Sequence, residues 1–191
     1  MSPHSNPQPN AMSGVMMKPR FRQIGLSALI LFASAELASG QTAAPQQNPP
    51  PPPARGPALD LALEAAQAAL DASKAGEQKV AVSVIDSAGV LKAVLVSDGV
   101  GPRAVQNSNF KAQAALAFKE SSGQLAEQVK TDKDLAEKVA ANPTYVARAG
   151  ALLLKVNDEI VGAIGVGGAR GSEKDEQYAL AGVQKIQSRL K

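Results

Sequence analysis

Two short pairs of β-rich segments decide most of what this chain can become. VAVSVID (residues 80–86) and LKAVLVS (91–97) have Ser87-Ala88-Gly89 between them, and ALLLKV (151–156) and EIVGAIGV (159–166) are joined by Asn157-Asp158. Connections this short cannot carry a crossover, so each pair predicts an antiparallel hairpin.

The rest of residues 58–191 reads as helix. Leu59, Ala62, Leu63, Ala66 and Leu70 recur at helical spacing, and Gly76 closes that segment. Residues 99–102 break the pattern after the first hairpin, and Phe110, Ala114, Ala117 and Phe118 then mark the apolar face of a second helix. Ser121-x-x-Gln124 and Thr131-x-x-Asp134 resemble the starts of two short helices, and Asn142-Pro143 ends the helical block. Ser172-x-x-Asp175 opens a last helix with Ala179, Val183, Ile186 and Leu190 inward. The order is α-β-β-α-α-α-β-β-α. Two hairpins give antiparallel pairing, so the class is α+β: an antiparallel sheet of four or five strands flanked by helices.

The N-terminal part reads differently. From a start at Met16 or Met17, Lys18, Arg20 and Arg22 precede the ten-residue apolar run IGLSALILFA, and Ala38-Ser39-Gly40 fits a small-residue cleavage site. Residues 1–40 are therefore expected to be a signal peptide, making the protein exported, periplasmic or secreted, with no stable membrane insertion after its removal. Residues 41–57, with five consecutive prolines at 49–53, form a Pro-rich linker. One domain fits residues 58–191.

Composition then removes whole classes of chemistry. Residues 1–40 hold three of the 20 basic and one of the 17 acidic side chains, so residues 41–191 carry a net charge of +1 and no basic stretch suited to nucleic acid. There is no Cys, the single His is His4, and the four Met all precede residue 18. Ser-His-Asp and Cys-His catalysis are excluded for residues 41–191, as is any His- or Cys-ligated zinc site. Iron or another metal is left with Tyr, carboxylate, Lys, hydroxyl or water.

The stretch IVGAIGVGGARGSEKDE (160–176) invites a nucleotide-binding reading. Gly165-x-Gly167 is followed by Arg170 where the dinucleotide fingerprint needs Gly, and one helix remains where further βα units are required. Two compatible readings survive. The glycines let the strand pack closely and bend, or the turn and helix start bind an anion with help from Arg170 and Lys174.

VSVIDSAGVLKAV, FKAQAALAF and NDEIVGAIGVGGARGSEKDEQYALAG resemble the blocks of the GlcG/HbpS family, the haem-binding-protein-like domains. The family's last block runs roughly DGEVVGAIGVSGA, which residues 158–166 match closely, with Asp175 and Ala181-Gly182 in register. The resemblance covers nearly all of 58–191. It implies an antiparallel sheet flanked by helices, assembly into homo-oligomers, and haem binding or a glycolate-type metabolic setting. The chain departs from the pattern at Ala114, where a hydroxyl is usual, and at Lys119-Glu120-Ser121 in place of Gly-Arg-Pro.

On this resemblance the expected function is an exported haem-binding-type protein for haem or another small carboxylate-bearing ligand. Lys111, Arg103 and Arg170 would neutralise carboxylates, with Gly167 and Gly168 in the anion turn. Phe110, Phe118 and Tyr145 would give apolar contact, Tyr145 being also a candidate iron ligand beside Tyr178. Each has a plainer reading: Lys111 as a snorkelling surface side chain, each Tyr as a half-buried packing ring. The alternative function is an accessory factor or enzyme for a small organic acid, with Asp86, Asp98 or Asp175 as general base; turn or cap roles are the plainer reading for these carboxylates.

Overall fold

The computed structural model describes residues 53–191; the expected signal segment and most of the Pro-rich linker lie outside the described residues. Five helices and four strands succeed one another in chain order: α1 (Leu59–Ala75), β1 (Ala81–Asp86), β2 (Leu91–Val96), α2 (Pro102–Phe118), α3 (Ser122–Gln128), α4 (Lys133–Ala140), β3 (Ala151–Val156), β4 (Glu159–Gly167) and α5 (Ser172–Ile186). This is the expected α+β order.

The sheet runs β2-β1-β4-β3, with every neighbouring pair antiparallel. The two hairpins thus meet through β1 and β4, which pair from Ala81↔Gly167 to Asp86↔Gly162. All six residues of β1 are buried, because this central strand is covered on both faces. On one face Val82 and Val84 join Val161, Ile164 and Val166 against Ala62, Ala65, Ala66 and Ala69 of α1 and Ala179 of α5. On the other, Ile85 and Ala163 meet Ala112 of α2, and the Ser83 and Ser108 hydroxyls hydrogen-bond at 2.7 Å. A buried strand this close to a helix needs its polar atoms paired, and these two satisfy each other.

The glycines of β4 explain how α2 comes so near. A Cβ on Gly165 would run into the Ser108 carbonyl oxygen, and one on Gly167 would sit 2.8 Å from the Ala104 carbonyl oxygen. Bare backbone on the strand lets α2 lie directly on β4.

Helix starts refine the expectations from sequence. Pro102 sits at the start of α2, where its missing N–H costs nothing. Ser121 and Gln124 form the capping box expected for α3. α4 begins one residue later than the Thr131 spacing predicts: the Asp132 carboxylate accepts from the Leu135 N–H at 2.9 Å, while the Thr131 hydroxyl donates to the Gln128 carbonyl at 3.2 Å. A carboxylate is the stronger acceptor for exposed helix N–H groups. α5 has Gly171 as its cap and no side-chain capping bond, so Ser172 does not play the part its spacing implies.

The last residues of the linker are fixed to the domain. The Arg55 N–H donates to the Ser87 hydroxyl and the Ser87 N–H donates to the Arg55 carbonyl, each at 2.8 Å, while the Arg55 guanidinium pairs with Glu159. This strap lies at the end of the sheet where both hairpins turn. The glycine-rich turn is at the opposite end.

Candidate ligand site at the glycine-rich end of the sheet

Lys111 is where the structure departs most from the sequence reading. Its side chain is 2% exposed, not spread on the surface. The ammonium donates to the Asp175 carboxylate at 2.7 Å and to the Val166 carbonyl at 3.0 Å. Asp175, 4% exposed, uses its other oxygen to accept from the Ala169 N–H at 3.0 Å, and the Gly168 N–H points at the same carboxylate. Gly150 makes the room: a Cβ there would stand 2.6 Å from the Lys111 ammonium.

Burial sets the electrostatics of this pair. Loss of hydration pushes the Lys111 ammonium below the ordinary lysine range, with the Asp175 charge partly restoring it and Arg148 adding a smaller push downward. The same loss raises the Asp175 carboxyl above the ordinary carboxylate range, against the pull of Lys111 and the two backbone N–H groups. For both groups desolvation outweighs attraction, as expected of a buried ion pair.

The N–H groups of the glycine turn thus already hold an anion, the chain's own Asp175 carboxylate, and neither Arg170 nor Lys174 is among its partners. Lys111 and the N–H groups of Gly168 and Ala169 are spent on Asp175. Gly167 is buried under α2.

A different set faces solvent at this end. The Arg170 N–H donates to the Gln78 side-chain oxygen at 3.0 Å, tying the turn to the α1–β1 loop. Glu77, Gln78, Lys79, Gly168 and Arg170 line a cleft of about 350 Å³. A neighbouring cleft of about 450 Å³ shares Gln78 and Lys79 and adds Lys74, Leu70 and Asp98. Arg103, exposed, is close by, since Ala104 packs on Gly167 and Gly168. Of the predicted residues, then, Arg170 and Gly168 line one cleft and Asp98 the neighbouring one, while Arg103 lines neither. Sequence reasoning misses Lys74 and Lys79, because nothing local marks them; the last turn of α1 carries the first there and the loop after it the second.

The aromatic candidates are elsewhere. Phe118 and Tyr145 pack edge to face with ring centres 5.6 Å apart, on Ala114, Leu125 and Val139. The Phe110 carbonyl accepts from the Val146 N–H at 3.4 Å, on the same side of α2. Asp86 holds the β1–β2 turn, one oxygen accepting from the N–H groups of Ala88 and Val90 at 2.9 Å each. A further cleft of about 300 Å³ between α3, β3 and α5 has Leu152 and Leu180 in its wall and Glu173 and Glu176 on its rim. Among the described residues no group of His, Cys, Asp and Glu side chains is placed to hold a metal ion, and no helix is long and apolar enough to cross a membrane.

Residues 58–184 match the family described as haem degrading protein HbpS-like. The chain belongs to the HbpS-like family. A double mutant of HbpS from Streptomyces reticuli is 29% identical, with a TM-score of 0.64 over 74% of this chain and 96% of that one. Two further structures share the fold. ORFY from Klebsiella pneumoniae is 21% identical with a TM-score of 0.66, over 75% of this chain and 99% of that one. PduOC, solved as a haem complex, is 19% identical with a TM-score of 0.62, over 69% and 95%. No curated protein matches the chain.

Proposed function

We propose that this is an exported haem-binding protein whose ligand carboxylates dock at the Lys79–Arg170 cleft. The observation that carries the reading is the HbpS-like match across residues 58–184, joined to an open cleft that carries two cations. Haem offers two propionates, and Lys79 and Arg170, with Arg103 nearby, suit them by charge. The macrocycle is larger than this cleft and would lie across the adjoining one, against Leu70.

The iron is less well served. Residues 41–191 have no His, Met or Cys to give it, and the buried Lys111 is already paired. The donor set fits the propionate edge of haem and does not fit its metal. The leader-like residues 16–40 support export. Val90, Leu91 and Val96, exposed at the outer strand β2, favour assembly with further copies.

Titrating the protein with hemin should give a saturable Soret shift that Arg170→Ala weakens by about 1–3 kcal/mol, the scale of a charged hydrogen bond. A non-saturating response would remove the proposal. The size of the cleft also favours a second reading, an accessory role toward a small organic acid, with Asp98 as the one predicted carboxylate on the adjoining wall. Saturable binding of glycolate, lost in Arg170→Ala, with no hemin response would select it.

A further inference from the structure

The sheet has two outer strands, and their free edges differ. On β3 the Ala151 N–H donates to the Ser122 hydroxyl and the Lys155 carbonyl accepts from the Gln187 amide, each at 2.8 Å. Side chains from α3 and from just past α5 thus close that edge at both ends. β2 has no such cover. The Ser97 N–H donates to the Val80 carbonyl at 2.9 Å, which fixes the phase of the β1–β2 ladder. Ala93 and Leu95 therefore bond to β1, and Val94 and Val96 turn N–H and C=O away from it. Among the described residues no other group hydrogen-bonds to these.

The bare edge is also apolar, with Val90, Leu91 and Val96 exposed on or beside β2. Sheets ordinarily cover or charge such an edge, and this one is left open. Its regular part is short. The register slips between Val84 and Ile85, which leaves Lys92 as an extra residue in β2. A partner strand can continue the ladder only along Ala93–Val96.

We infer that β2 is the contact edge between two copies of this chain, paired antiparallel about a two-fold axis at Leu95. The inference rests on the assembly reading above and names its surface. With the axis there, Val94 of each copy lies opposite Val96 of the other and the two exchange both N–H···O=C bonds, so every free group is satisfied. Leu95, packed against the core on the α1 face, meets its own copy across the axis. The same register sets Lys92 level with Asp98 of the second copy, and neither is ion-paired within one copy. An axis at Val94 would instead set Val96 against the bulged Lys92, where the ladder is broken. Once β2 is used, only the capped β3 edges remain, so the pairing closes on itself.

The test is sedimentation velocity on the purified protein over a range of concentrations, with amide hydrogen exchange read by NMR. Expected is a dimer, or an even-numbered assembly built from it, in which the Val94 and Val96 amides become protected as concentration rises. Val96→Lys should raise the dissociation constant by about tenfold or more, with an unchanged unfolding midpoint. Val94→Pro, which removes an outward N–H and leaves the bonds to β1 in place, should do the same. Lys92→Asp should weaken the dimer by about threefold or more, and adding Asp98→Lys should restore it. An assembly that survives Val96→Lys, with both amides exchanging freely, would overturn this edge while leaving assembly intact. Failure of Asp98→Lys to rescue Lys92→Asp would overturn the register. A monomer at every concentration would defeat the assembly reading itself, and the inference with it.

Discussion

Replacing Lys111 by Met tests how the buried pair contributes. Met keeps much of the lysine stem's volume but leaves the Asp175 carboxylate, 4% exposed, with only the Ala169 and Gly168 N–H groups. Asp175→Asn does the reverse, leaving a buried ammonium with the Val166 carbonyl while the amide oxygen still accepts from Ala169. Each single change strands a charge away from water, which costs about 3–5 kcal/mol. That is a large share of the roughly 5–15 kcal/mol that holds a domain together. The double variant strands no charge, so it should cost much less than either single change, giving a coupling of at least about 3 kcal/mol. Urea unfolding of the four proteins, with m unchanged, measures the cycle. Additive losses would refute the argument, because they would mean neither charge needs the other.

The remaining expectations come from the same geometry. Between about pH 3.9 and the raised native value of Asp175, the native state holds more protons than the unfolded one, so this group's contribution falls as pH rises through that window. Between the lowered native value of Lys111 and about 10.4 the native state holds fewer, so its contribution rises with pH. The stability of the protein minus that of the double variant should therefore trace a trough against pH; a maximum at neutral pH would contradict it. Gly167→Val should fold poorly, because its side chain would enter α2 at the Ala104 carbonyl, a clash of about 1–3 kcal/mol or more by thermal unfolding. Near-normal stability would show that α2 can lift away. Asp86→Ala removes the acceptor of two turn N–H groups and should cost about 1–3 kcal/mol in urea unfolding, with no change in hemin affinity.

The order of elements is legible because each hairpin carries its own short connection and its own β-rich flanks. Nothing local says that the two hairpins meet through β1 and β4, but antiparallel pairing through the two apolar strands buries the most Val and Ile. The burial of Lys111 has one signal in the sequence. Ser108, Lys111, Ala112 and Ala115 share a helical face otherwise made of small residues, a face that has to lie close to something. Its partner Asp175 is 64 positions away, beyond any spacing rule. Asp175 itself sits in the first turn of α5 but caps nothing there; it holds the preceding turn at Ala169, so the plainer turn reading describes half of what it does.

Stability and binding meet at the glycine turn. The inner side of the turn gives its Gly168 and Ala169 N–H groups to Asp175, and its outer side carries Arg170 into the cleft. An anion arriving from solvent cannot use the inner donors, so it has to be recognised by side chains. That shifts the affinity onto Lys79 and Arg170, whose partly solvated charges are each worth a modest amount and are screened by salt. The internal carboxylate thus holds the turn before α5 without any ligand, and Arg170 leaves that turn outward. Ionic strength should therefore govern ligand affinity here, while the buried pair beneath, shielded from solvent ions, should leave the fold's stability nearly unmoved by salt.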